Sequence, residues 1–180
     1  MGHVVSHEGV KVDPNKIKAM IDWLIPKTLK NLRGFLGLTG YYHKFVRNYG
    51  RITAPLTSLL KKDAFYWTPE ATQYFQQLKE AMCKAPVFLT QNFTSFFIVE
   101  CDAPGNGIRA VIMQEGHPLS FTSHPIKGKN FKKPIYKKEM LEILHALKQW
   151  CPYLIGRHFK VKTNHDSLKY FLEKRLSLKE

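Results

Sequence analysis

Acidic residues are scarce in this chain: 14 Asp and Glu stand against 28 Lys and Arg, for a formal net charge of +14. The excess is even, with 13 basic against 6 acidic residues up to residue 88 and 15 against 8 after it. A chain that is basic throughout points to a polyanionic partner. Nucleic acid is expected rather than a membrane surface, because no strongly amphipathic basic helix stands out. Cysteine is also sparse. Cys83, Cys101 and Cys151 are widely spaced and form no CxxC pair, which excludes a disulfide framework and fits a reducing compartment. The expected setting is therefore intracellular, cytoplasmic or nuclear, and not secreted. The 8 histidines form no HExxH pattern, so the usual catalytic zinc arrangement is not expected. No apolar run approaches the roughly 18 residues a membrane-spanning helix needs, and there is no hydrophobic signal core. What remains is an apolar content of 44%, ordinary for a folded protein.

The organisation changes near Pro86. Before it the punctuation is helical. Asp13-Pro14 reads as an N-cap with proline at the first helical position, opening a helix that Pro26 ends. Thr28 caps a second helix whose stripe is Leu29, Leu32, Phe35 and Leu36, with Gly37 and Gly40 expected to loosen its end. A short helix is expected over Leu56–Leu60. Thr68-Pro69 opens a last one, with Ala71, Phe75, Leu78 and Met82 on one face. After Pro86 the period becomes that of strands. Phe96–Asp102, Ile108–Gln114 and Pro118–Ser123 are separated by turn residues and predict a three-stranded antiparallel meander. A helix over Tyr136–Trp150 follows, with Met140, Ile143 and Leu147 inward, then a strand over His158–Thr163 and a helix from about Ser167. The expected fold class is α+β: a small all-helical domain over residues 1–88, then a mixed α/β sheet over residues 89–180.

Three positions carry the chemistry. Asp102 closes the apolar run Phe96–Asp102, and Glu139 lies on the later helix. Asn164 follows the fourth strand, where a third acid would complete the set. Carboxylates at strand ends beside a helical acid are a way to hold paired magnesium ions for phosphodiester cleavage. An Asn keeps an oxygen ligand but loses a charge. Asp166 follows Asn164 at a spacing that alternation returns to the same face, although Asp166 or Ser167 also suits the cap of the last helix.

A resemblance spans nearly the whole chain. Met1-Gly2-His3-Val4-Val5-Ser6 and Val12-Asp13-Pro14-Asn15-Lys16-Ile17 resemble the primer-grip hairpin and thumb entry of reverse transcriptases from gypsy-type long-terminal-repeat retrotransposons. The run from Leu32-Arg33-Gly34-Phe35 through Tyr41-Tyr42 resembles that family's thumb, as do Ala54-Pro55-Leu56 and Phe65-Tyr66-Trp67-Thr68. The second half is similar to the attached ribonuclease H domain in Cys101-Asp102-Ala103, Lys138-Glu139-Met140-Leu141, Pro152-Tyr153-Leu154 and Phe159-Lys160-Val161-Lys162-Thr163. The resemblance implies metal-dependent hydrolysis of RNA in RNA–DNA hybrids, with magnesium or manganese as the cofactor. Asp102 and Glu139 match the first two metal ligands, and Asn164 falls on a family Asp. A further family acid is expected downstream of Glu180 and the polymerase aspartates upstream of Met1, so the ribonuclease H part is expected to be C-terminally truncated and other parts of a polyprotein to lie outside. Pro104 stands where the family prefers Ser. Arg109 replaces a small residue and brings a long cation beside the metal pocket.

Candidate nucleic-acid contacts are of two kinds. Residues 127–138 gather six lysines around two aromatics, among them Lys127, Lys129, Lys132, Lys133, Tyr136 and Lys137. In the helical half, Lys27, Lys30, Arg33, Lys44, Arg47 and Arg51 are placed to follow a duplex backbone. No helix is rich in base-reading side chains, so binding of hybrid or duplex is expected to be driven by charge and shape. The expected function is a reverse transcriptase/ribonuclease H fragment that binds nucleic acid with hydrolysis lost. An active hybrid-specific ribonuclease and a non-catalytic binding module are the alternatives.

Overall fold

A computed structural model describes residues 2–6, 9–88, 90–101, 107–125 and 134–163. The expected α+β class is the one observed. The chain opens on a hairpin, β1 (His3–Ser6) and β2 (Gly9–Val12), paired from His3↔Val12 to Ser6↔Gly9. Helices α1 (Pro14–Ile21), α2 (Leu29–Tyr41), α3 (Tyr49–Ser58) and α4 (Pro69–Cys83) follow, with a 3-10 turn at His43–Phe45. The caps read from sequence are present: the Asn15 amide donates to Asp13 Oδ1 at 2.9 Å, that of Asn31 to Thr28 Oγ1 at 3.2 Å and that of Ala71 to Thr68 Oγ1 at 3.1 Å. Each satisfies a donor that the first helical turn leaves over.

Two helix limits differ from expectation. Helix α2 runs through Gly37 and Gly40 to Tyr41, held by Leu32, Phe35 and Thr39, which are buried along one face. Helix α3 begins at Tyr49, well before Leu56, and carries Pro55 inside it. The proline removes one backbone donor. The Thr53 and Thr57 hydroxyls donate to the Tyr49 and Thr53 carbonyls at 2.9 and 2.7 Å, so the backbone around the proline keeps side-chain partners. The buried face predicted for α4, Ala71, Phe75, Leu78 and Met82, is the observed one.

The second half is a four-stranded sheet in the order β5-β4-β3-β6. It contains β3 (Phe97–Cys101), β4 (Gly107–Gln114), β5 (His117–Pro125) and β6 (Phe159–Thr163), with α5 (Ile135–Gln149) and the short α6 (Cys151–Leu154) before β6. β3, β4 and β5 are antiparallel neighbours, and β6 lies parallel to β3 from Phe97↔Phe159 to Cys101↔Thr163. The expected helix from about Ser167 lies outside the described residues. Phe97, Val99, Cys101, Ala110 and Ile112 turn one face of the sheet to Ala146 and Trp150 of α5 and to Leu154, forming one buried cluster. A second cluster gathers Val12, Met20 and the inner faces of α2, α3 and α4 around Phe35, Phe75 and Phe88.

The two clusters meet across β5. Phe88 exchanges backbone hydrogen bonds with Val10, stacks on Phe45 at 4.6 Å between ring centroids and lies 5.7 Å from Phe121 of β5. The Gly50 amide of α3 donates to Ser123 Oγ at 2.6 Å. The helical half thus covers the β5 end of the sheet face opposite α5.

Candidate functional site

Of the three candidate ligands, Asp102 and Asn164 lie outside the described residues, as does Asp166. Glu139 sits in the second turn of α5 and is 1% exposed, and Glu142, one turn on, is equally buried. The spacing of Glu139, Glu142, Ala146 and Trp150 sets all four on the helix face turned to the sheet. Ile143 and Leu147 pack against the same cluster but are partly buried, and Met140 is likewise only partly buried. The sequence pattern assigned the inner face to the apolar residues. The structure gives its most buried positions to two acids.

Glu142 has a definite task. Its Oε1 accepts the Arg109 backbone amide of β4 at 2.7 Å. Arg109 lies one residue beyond Ala110, which pairs with Cys101 at the end of β3. The Arg109 guanidinium crosses to the helical half, where Nη1 donates to Asn48 Oδ1 at 3.2 Å. Asn48 occupies the left-handed region at φ 62° and makes no side-chain cap on its own helix α3. Its side chain is spent on the joint instead.

Burial also sets the chemistry of Cys101, next to Asp102 in sequence. Removal from water, and then the nearby Glu142, push its thiol up to about 12. A thiolate is therefore not available at neutral pH. Cys83 and Cys151 are exposed. With a thiol reagent on the folded protein, those two are expected to react while Cys101 reacts only after denaturation. Rapid Cys101 labelling under native conditions would show that β3 is not sealed by α5.

The register places Lys162, Glu100, Val111 and Phe121 in one row across the sheet, on the face away from α5. Lys162 Nζ donates to Glu100 Oε1 at 3.3 Å. Above this row a cleft of about 200 Å³ opens between the halves, with Arg47, Asn48, Arg109 and Lys162 in its walls. Of the nucleic-acid candidates, Lys127, Lys129, Lys132 and Lys133 lie outside the described residues. Tyr136 and Lys137 are exposed on the first turn of α5, with the ammonium 6.0 Å from the ring centre. Lys30 and Arg33 project from the outer face of α2, Lys44 lies over the Phe45 ring at 5.3 Å, and Arg47 enters the cleft. Among the described residues no three His, Cys, Asp or Glu side chains are grouped to hold a metal, and no helix is long and apolar enough to cross a membrane.

A family model described as the RNase H-like domain found in reverse transcriptase matches residues 67–161, more than half of the chain. The chain belongs to this family. The match begins at Trp67 and so takes in α4 as well as the sheet. Among relatives of this RNase H-like chain, the retrovirus-related Pol polyprotein from transposon 297 of Drosophila melanogaster is 37% identical, over 94% of this chain and 16% of the polyprotein. The transposon Tf2-3 polyprotein of Schizosaccharomyces pombe is 32% identical, over 93% of this chain and 13% of that protein. An uncharacterized mitochondrial protein of Arabidopsis thaliana is 54% identical over 47% of this chain and 54% of its own length. The chain thus spans a small part of its retrotransposon relatives. The fold is shared with the foamy viral protease-reverse transcriptase. One structure of it in complex with double-stranded DNA gives a TM-score of 0.86 at 22% identity, covering 96% of this chain and 31% of that one. Another, in complex with RNA/DNA hybrid, gives 0.83 at 22% identity over 92% of this chain and 23% of that one.

Proposed function

We propose that this chain is the thumb and RNase H-like portion of a retrotransposon reverse transcriptase polyprotein, with units over residues 1–88 and 89–180. It holds RNA–DNA hybrid or duplex through backbone charge, without reading sequence, and does not cut it. The observation that carries the inactive reading is the state of Glu139, 1% exposed beside an equally buried Glu142. A magnesium ligand has to meet an ion that keeps much of its water and demands near-ideal octahedral geometry. The donor set Asp102, Glu139 and Asn164 brings two negative charges to a pair of divalent ions that repel each other. The set does not fit a magnesium or manganese pair, and no hydrolytic step is derived through one. The binding half of the proposal rests on the net charge of +14 and on the hybrid and duplex held by the structural relatives.

Incubation with end-labelled RNA–DNA hybrid and magnesium or manganese tests both halves. The RNA strand is expected to stay intact, in the Asn164→Asp variant as well, while the hybrid binds at low salt and is released as salt rises. Metal-dependent cutting that Asp102→Asn abolishes would make the chain a working hybrid-specific ribonuclease.

A further inference from the structure

We propose that the cleft between α3 and α4 seats the phosphates of one nucleic-acid strand between Arg47 and Arg51. This rests on the nucleic-acid reading above and names a place for the contact. The cleft encloses about 370 Å³ and is walled by Arg47, Asn48 and Arg51 at the start of α3 and by Gln73, Tyr74 and Gln77 of α4. Among the described residues no carboxylate lines it. In a chain with one acid for every two bases, a cleft with two guanidiniums and no described acid attracts an anion with little local repulsion. The chemistry of the wall suits a phosphodiester. Guanidiniums bind phosphate oxygens in pairs of hydrogen bonds, and the amide and phenol groups opposite add uncharged donors of the kind that position a backbone without reading bases.

Two further observations favour a strand over a small free anion. Arg47 and Asn48 also wall the neighbouring cleft over the sheet, which holds Arg109 and the Lys162–Glu100 pair, so the trough continues across the joint instead of closing on one ion. The arginines themselves are exposed. A strand can reach them without any opening of the fold, and their replacement leaves both buried clusters intact.

The test is a salt series of hybrid binding by the full chain, comparing wild type with Arg47→Gln, Arg51→Gln and Arg47→Lys. Lys84→Gln serves as control, a site paired with Glu80 at the far end of α4. Each glutamine variant is expected to weaken binding and to lower the slope of log K against log salt by about one. Arg47→Lys should keep the slope, and Lys84→Gln should match wild type. Inorganic phosphate at the same ionic strength should not compete. If wild type binds hybrid but Arg47→Gln and Arg51→Gln leave affinity and slope unchanged, the cleft is not the seat and the wider reading survives. Competition by inorganic phosphate would make it a site for a free anion and overturn the strand. If wild type binds no hybrid even at low salt, the nucleic-acid reading falls and this inference with it.

Discussion

Phe75→Ala is expected to cost about 3–5 kcal/mol. Phe75 is fully buried, with its ring 4.5 Å from Phe35 and 5.9 Å from Trp67, and the Lys79 ammonium lies 4.8 Å over it. Truncation loses the transfer energy of the ring and leaves a cavity between α2 and α4. Those helices have little freedom to close it: α4 is fixed at its start by the Thr68 cap and by the Trp67 indole donating to Thr72 Oγ1 at 2.9 Å. A loss of this size is comparable to the whole stability of a marginal domain. The denaturant midpoint should therefore fall steeply with the slope little changed, and Phe75→Leu, which refills much of the space, should lose far less. A Phe75→Ala loss under about 1 kcal/mol would mean that α4 is not docked on α2 as described.

Much of this fold is written in local signals. Asp13, Thr28 and Thr68 announce α1, α2 and α4 because a cap is a contact within three residues of itself. The strands show in their alternation, because β3, β4 and β5 each have one face on α5 or on the helical half. The start of α3 is not legible in the same way. Asn48 caps with no side-chain bond and Pro55 suggests a beginning where there is an interior; the helix is placed by its seat against β5. Burial of Glu139 and Glu142 was equally hidden. An acid on a helix reads as solvent-facing, and it is the Arg109 amide, 33 residues away in the chain, that meets Glu142 on the inner face. The spacing of Glu142 to Ala146 and Trp150 was the one available hint. As for the candidate ligands, Asp102 alone reads as a turn residue and Glu139 alone as a first-turn helix acid. Their joint meaning came from family resemblance, and the joint between the halves, with Asn48, Gly50 and Ser123, had no sequence signature at all.

That joint supplies the second large effect. Gly50→Ala is expected to destabilise the protein by about 1–3 kcal/mol, whereas the same change at Gly37 should be neutral or stabilising by up to about 1 kcal/mol. Both glycines are helical, so alanine's helix propensity favours the change at each. They differ in what a Cβ meets. At Gly37 nothing lies within 4 Å, while at Gly50 a Cβ falls 2.7 Å from the Ser123 carbonyl oxygen and 3.1 Å from its Oγ. The carbonyl cannot swing aside freely, because Ser123 pairs with Arg109 in the β4–β5 ladder. Helix α3 must lift off the sheet instead, stretching the 2.6 Å bond from the Gly50 amide to Ser123 Oγ and drawing Asn48 away from Arg109. Ser123→Ala separates the two causes: it removes the hydroxyl bond without the clash and should cost about 1 kcal/mol. The order Gly50→Ala, then Ser123→Ala, then Gly37→Ala is what close packing across the joint requires. If alanine stabilises the protein equally at Gly50 and Gly37, α3 is not seated on β5, and the two halves are held together by little more than the chain between them.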